Sequence, residues 1–387
     1  MTEAKAIGAT AIGQLATRGY EDSPEVVAFR TDLILHDRFQ SSLDQIAERM
    51  QYAEQQSITA VLGPTGSGKT ALATEFAFQF GEAMKAVPEA ARTTLLCMEL
   101  AAAEQGAFKW RDDFYIPALH ALNEPCVAKK INVERLREQL AAGDTKAPYA
   151  GHPKTVADFR NLFYGAMNRA RAIGALFDEA NHLRKPDSKS GLFSQYDSLK
   201  SRSNACRAHF VLLGTIEIAD IFRQSGPISK RVYPIWMSPY GPDGVDKKLF
   251  GGAVLSIVEK LPKGIKIGFS IERKLDQLYE GSLGVYGLAH DWFDRALVRV
   301  LRLGKSVISW RDMEELALHP LQLSGIAADL IRFREVMLGA NIYFEEQKRS
   351  LFLPPAIASE QGSSNRVAGN TTRKPFERNP ERDKVGV

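Results

Sequence analysis

Gly63-Pro64-Thr65-Gly66-Ser67-Gly68-Lys69-Thr70 is the stretch that decides the fold. It satisfies G-x-x-x-x-G-K-[ST] at every fixed position. The apolar run Ile58-Thr59-Ala60-Val61-Leu62 precedes it as a predicted strand, and a predicted helix follows. A strand, a glycine-rich turn and a helix in that order make a phosphate-binding loop. The glycines let backbone amides turn inward around an anion, and the helix presents its N-terminus to the same charge. In such a loop the Lys69 ammonium reaches the β- and γ-phosphates, and the Thr70 hydroxyl binds Mg²⁺. ATP and Mg²⁺ are the expected ligands.

Outward from the loop, four more segments are short and apolar on both faces: 94–98, 173–177, 210–213 and 232–236. That pattern belongs to parallel strands covered on both sides. Helical stretches separate them, one marked by Val156, Phe159, Leu162, Phe163 and Met167, and an amphipathic helix is expected over 43–55 on Leu43, Ile46 and Met50. The alternation predicts a doubly wound α/β domain with a five-stranded parallel sheet over residues 25–245. The interval 99–151 is too long for one crossover and predicts a helical insertion. Residues 246–353 read as a smaller, helical C-terminal domain beside the nucleotide edge, ended by Pro354-Pro355. Residues 1–24 show no period and read as a flexible arm, and 354–387, rich in Ser, Asn, Arg, Glu and Pro, read as a disordered tail.

Three further sites carry chemistry. The third strand runs into Asp178-Glu179, and carboxylates at a buried strand end need partners. Beside a phosphate loop, Asp178 holds the magnesium and Glu179 orients and activates the attacking water. A helix cap with acidic first-turn residues is the competing reading. The fourth strand ends in Gly214-Thr215, where Thr215 can hydrogen-bond the water or the γ-phosphate. Arg223, Lys230 and Arg231 flank the loop before the fifth strand. An arginine there could stabilise transition-state charge in a neighbouring subunit; Arg231 is favoured and Arg223 is the other candidate.

Composition adds bounds rather than a function. The 387 residues are 44% apolar and 25% charged, an ordinary globular composition for two packed domains with tails. No apolar run approaches the roughly 18 residues of a membrane helix, and no secretory signal is visible at the N-terminus. Cys97, Cys126 and Cys206 are far apart without C-x-x-C spacing, which suits reduced thiols in a cytoplasmic protein. A net charge of +4 does not by itself call for nucleic acid, so any basic surface must be local.

Several motifs stand in register: the phosphate loop, Phe-Asp-Glu-Ala-Asn-His-Leu from Phe177, Gln195-Tyr196-Asp197-Ser198-Leu199-Lys200, and Leu-Leu-Gly-Thr-Ile-Glu from Leu212. Together they resemble the AAA+ transposition regulators TnsC and TniB over roughly residues 30 to 320. Departures are Asn181 where Gln is usual, Val232 where Phe often follows the arginine, and no arginine near Gly284 where the lid commonly supplies one. The resemblance implies an AAA+ ATPase that assembles as a ring or helical filament on duplex DNA and recruits a transposase to a site chosen by target-selector proteins. It makes Thr215 the sensor residue and places Ser229-Lys230-Arg231 at an arginine-finger motif. It also puts DNA-backbone contacts in the insertion, where Lys109 and Arg111 flank Trp110, with Lys200 and Arg202 next. From Arg184 to Arg207 six basic residues face two acidic ones, whereas the interval Glu99–Arg160 carries nine of each sign. Phosphate contacts of this kind are sequence-independent and salt-sensitive. The alternative function is an ATPase that remodels proteins or signals without touching DNA; a metabolic nucleotide kinase is disfavoured by the large helical domain.

Overall fold

The structure is a computed structural model that describes residues 23–52, 57–102, 108–125, 127, 141, 153, 155–183, 198–199, 201–220 and 230–352. The tail 354–387, most of the arm and of the insertion, Lys200, Arg223 and the stretch 184–197 lie outside the described residues.

Five strands form one parallel sheet: β1 (Ile58–Leu62), β2 (Thr94–Glu99), β3 (Ala172–Asp178), β4 (His209–Gly214) and β5 (Val232–Trp236), in the order β2-β3-β4-β1-β5. In β1 every residue is buried, which explains its unbroken apolar run and why no period of two shows there. Register aligns the strand ends: Leu62 lies beside Gly214 on one side and Trp236 on the other, and Glu99 lies beside Asp178. Strand order reverses at β1, and ligands of open α/β sheets sit outside the carboxyl ends at such a point.

Helices cover both faces. α1 (Pro24–Thr31) and α2 (Asp37–Tyr52) precede the sheet. α2 begins six residues earlier than its sequence pattern suggested, because Phe39 is buried with Leu43 and Ile46 and extends the apolar stripe back by one turn. α3 (Lys69–Lys85) follows the phosphate loop, and the insertion contributes a wide π-type turn over Trp110–Tyr115 and the short α4 (Ile116–Ala121). α5 (Val156–Arg169) starts at a reciprocal cap, the Thr155 hydroxyl taking the Asp158 amide while the Asp158 carboxylate takes the Thr155 amide.

The C-terminal part holds α6 (Gly244–Glu259), α7 (Ile271–Ser282), α8 (Tyr286–Arg302), α9 (Trp310–Glu315) and α10 (Pro320–Phe352). It is not purely helical. β6 (Lys266–Ile267) and β7 (Val307–Ile308) pair in parallel, two residues each, too short to leave a periodic signal. Its own core gathers Phe250, Val254, Leu278, Trp292, Phe293 and Leu297.

Packing does not follow the linear division of the chain. α1 joins this C-terminal core: Phe29, 1% exposed, stacks on His290, and Arg30 makes two bonds to Asp294 at 2.8 and 2.9 Å. Conversely, α10 returns to the sheet domain, where Phe333, 2% exposed, packs edge-on against Trp236. The described residues as far as Leu338 form one compact unit; from Gly339 the described chain continues as helix to Phe352 in a second.

Candidate nucleotide site

The phosphate loop joins β1 to α3 at the point where strand order reverses. Gly66 and Gly68 have φ of 78° and 87°, a left-handed backbone that side chains resist, and this turns the loop around its own amides. Lys69 is only 7% exposed, and its ammonium donates to the Gly63 and Pro64 carbonyls at 3.0 and 2.9 Å. Burial pushes its pKa below the ordinary lysine value, while the carboxylates of Glu179, Asp178 and Glu217 pull the other way. The cation is thus held inside the loop at the height where phosphates would lie.

Thr70 and Asp178, the two residues expected at the magnesium, touch: the Thr70 hydroxyl donates to Asp178 Oδ2 at 2.6 Å. Asp178 is 7% exposed and also accepts from the Glu179 amide at 2.9 Å. Glu179 itself has φ of 50°, a left-handed conformation uncommon outside glycine and costly enough to need surrounding support. Asn181 donates to Glu179 Oε2 at 3.1 Å. Ser67 Oγ and Asn181 Oδ1 are buried without a hydrogen-bond partner. Buried polar atoms left over beside a Lys, a Thr and a carboxylate fit a Mg²⁺-nucleotide, in which phosphates and waters would complete the metal's ligand shell. Among the described residues no group of three or more His, Cys, Asp or Glu could hold a metal ion.

Thr215 follows β4 and points its hydroxyl at the Glu217 carboxylate. On the other side of the loop, His36, Phe39, Met237, Tyr240 and Tyr286 line a narrow aromatic pocket next to Ser67. His36 bonds the Tyr240 hydroxyl at 3.0 Å and packs on Tyr286 with ring centroids 4.3 Å apart. Burial first, then Arg38, lowers His36 to about 4, so it is neutral. Neither this pocket nor Glu217 was assigned a role from sequence. Glu217 stands inside a quoted motif, but the pocket is assembled from residues with no shared local pattern.

Arg231 lies at the opposite end of the sheet, its carbonyl accepting from the Ile58 amide at 2.8 Å. Five strand residues separate that end from the loop, roughly 16 Å of extended chain. It cannot complete the site of its own subunit.

The structure splits the expected DNA contacts. Lys109 and Arg111 are exposed, although Arg111 pairs with Asp112 at 2.9 Å. Arg202 corrects the expectation. It is 7% exposed, its guanidinium lies 3.8 Å from the Trp110 ring centre, and Nε donates to the Tyr115 hydroxyl at 2.6 Å. A flat, weakly hydrated guanidinium can be buried against aromatic faces, and here it fastens the insertion instead of facing phosphate.

Residues 51–222 match a family model described as AAA domain. The fold is that of an AAA+ P-loop NTPase. The chain superposes on the Aeropyrum pernix ORC1 protein, solved in complex with DNA, with a TM-score of 0.51 and 13% identity, over 76% of this chain and 68% of that one. The Aeropyrum pernix ORC2 protein, in ADPNP–ADP complexes, gives 0.45 at 14% identity, over 75% of this chain and 70% of that one. No curated protein matches the sequence. Among the described residues, no helix is long and apolar enough to cross a membrane.

Proposed function

We propose that this chain hydrolyses ATP, assembles in its ATP state as an oligomer on duplex DNA, and regulates transposition by linking target-site selection to transposase recruitment. The observation that carries the hydrolytic part is the convergence of Lys69, Thr70, Asp178 and Glu179 on one loop, with the Thr70–Asp178 bond already made at 2.6 Å. Lys69 holds the β- and γ-phosphates, and the amides of the loop and of the α3 N-terminus bind their oxygens. Thr70 and Asp178 hold Mg²⁺, which when bound neutralises charge on the phosphates. Glu179, fixed by Asn181, takes the proton of the attacking water. Arg231 acts on the nucleotide of a neighbouring copy, so the active site is complete only in the assembly.

The DNA and transposition part rests on the motif resemblance, and the fold shared with a protein solved on DNA is compatible with it. An ATP-driven protein remodeller is the second reading, favoured by the Arg111–Asp112 pairing, which reduces the local positive charge. Gel shifts of a random-sequence duplex across a salt series, with a non-hydrolysable ATP analogue, separate the two. Binding is expected only with the analogue. Lys109→Ala with Arg111→Ala should weaken it similarly for every sequence and flatten the salt slope by about one unit per lost contact. Arg202→Ala should instead lower the melting temperature. A parent protein that binds no duplex in any nucleotide state overturns the transposition reading.

A further inference from the structure

A cleft of about 330 Å³ opens beside the phosphate loop, lined among others by Thr65, Asn181, Thr215, Glu217, Asp329 and Phe333. The last two belong to α10, which comes from beyond the C-terminal helical core. Phe333 is seated against Trp236 and belongs to the sheet domain's core, with Val336 and Met337 packed beside it. One residue before Phe333, the Arg332 guanidinium reaches Glu217 Oε1 at 3.3 Å. The other oxygen, Glu217 Oε2, takes the Thr215 hydroxyl proton. Glu217 therefore joins α10 to the polar residue at the end of β4.

The chemistry of that chain is restrictive. A threonine hydroxyl has one proton and two lone pairs, and an ionised carboxylate accepts only. While Glu217 holds the proton, Thr215 can offer the cleft lone pairs alone. A γ-phosphate oxygen is also an acceptor and gains nothing from them. To bond the phosphate, Thr215 must turn its proton away from Glu217, and Arg332 holds Glu217 in place by a charge-assisted bond. Resting on the nucleotide reading above, we propose that Glu217 and Arg332 are positioning residues that form a latch. Through them α10 withholds the Thr215 proton from the γ-phosphate until the helix shifts. The latch is weak, a single contact with a half-exposed arginine, so it can yield when phosphate arrives.

The test is DNA-free steady-state hydrolysis by the full chain. Arg332→Ala and Glu217→Ala should each raise kcat about two- to tenfold, the factor a net hydrogen bond represents, with KM for ATP little changed. The double variant should gain no more than the larger single one, and Thr215→Val should erase the gain. The two substitutions remove opposite charges, so opposite effects on kcat would mean that they act on the phosphates through space and would overturn the latch. Unchanged or lowered kcat in both would overturn it too. As a second measurement, hydrogen exchange over residues 320–338 should rise when a non-hydrolysable ATP analogue binds, and unaltered exchange counts against the latch. Binding of a fluorescent ATP analogue separates the two levels. A parent that binds none sinks the nucleotide reading and the latch with it, whereas a parent that binds and hydrolyses while the variants do not respond sinks the latch alone.

Discussion

The two ends of the parallel sheet are built from opposite ingredients. At the carboxyl end, Lys69 and Asp178 are each 7% exposed, Lys69 held by loop carbonyls and Asp178 by the Thr70 hydroxyl. At the amino end the polar groups are structural or turned outward. His209 bonds Thr59 Oγ1 at 2.8 Å, Arg49 stacks on Tyr233 with its guanidinium 3.3 Å from the ring centre, and Arg231 sits at the turn into β5. On the proposed reading one end binds and polarises a phosphate. The other carries an arginine with no phosphate of its own within roughly 16 Å. On the proposed reading the catalytic parts are divided between two faces of the subunit, and stacked copies would join them.

The largest effects should come from the carboxyl end. Lys69→Ala removes the cation that faces the phosphates and should abolish nucleotide binding, measured with a fluorescent ATP analogue. Glu179→Gln should leave binding intact and lower kcat by about 10² to 10⁴, the usual worth of a positioned base. Turnover at the parent rate in Glu179→Gln would remove Glu179 from the mechanism and leave its left-handed backbone without a functional reason.

Next comes the division itself. If Arg231 completes a neighbour's site, Arg231→Ala should lower kcat by up to about 10³ to 10⁵ while each subunit still binds ATP. Parent activity per subunit should rise with protein concentration. Mixing Arg231→Ala with Lys69→Ala protein should restore part of the activity at hybrid interfaces. Folded, oligomeric proteins that fail to complement would move the role to Arg223 or remove it.

The smallest effect tests the structural character of the amino end. Burial, helped by Arg49, lowers His209 to about 4, against an ordinary value of 6.5. Between those values the unfolded chain binds a proton that the folded chain refuses, so stability should fall as pH drops from 6.5 toward 4. His36, also lowered to about 4, adds a second proton to the slope. Thermal unfolding across this range should show the decline, and His209→Gln should reduce its slope by about one proton. An unaltered slope would mean that His209 is protonated in the fold.

The parts of this protein that could be read along the chain are those whose chemistry is contiguous. The phosphate loop needs eight consecutive residues between a strand and a helix, because adjacent amides wrap one anion, and the structure puts all of them at the sheet's switch point. Asp178 and Thr215 could be placed because a buried strand announces its own end, and parallel register brings those ends to one edge. Charge by itself carried no such address. Arg202 sits in a basic run, yet folding turned it onto Trp110 and Tyr115, since nothing local says whether a guanidinium will meet water or an aromatic face. Glu217 and Arg332 are 115 residues apart. Their meeting depends on α10 returning from the C-terminal core to seat Phe333 on Trp236. Sequence alone determined which loop carries the phosphate-binding pattern and that it lies between a strand and a helix. Only the tertiary structure decided what else faces it, because that depends on contacts between segments whose local patterns carry no mark of each other.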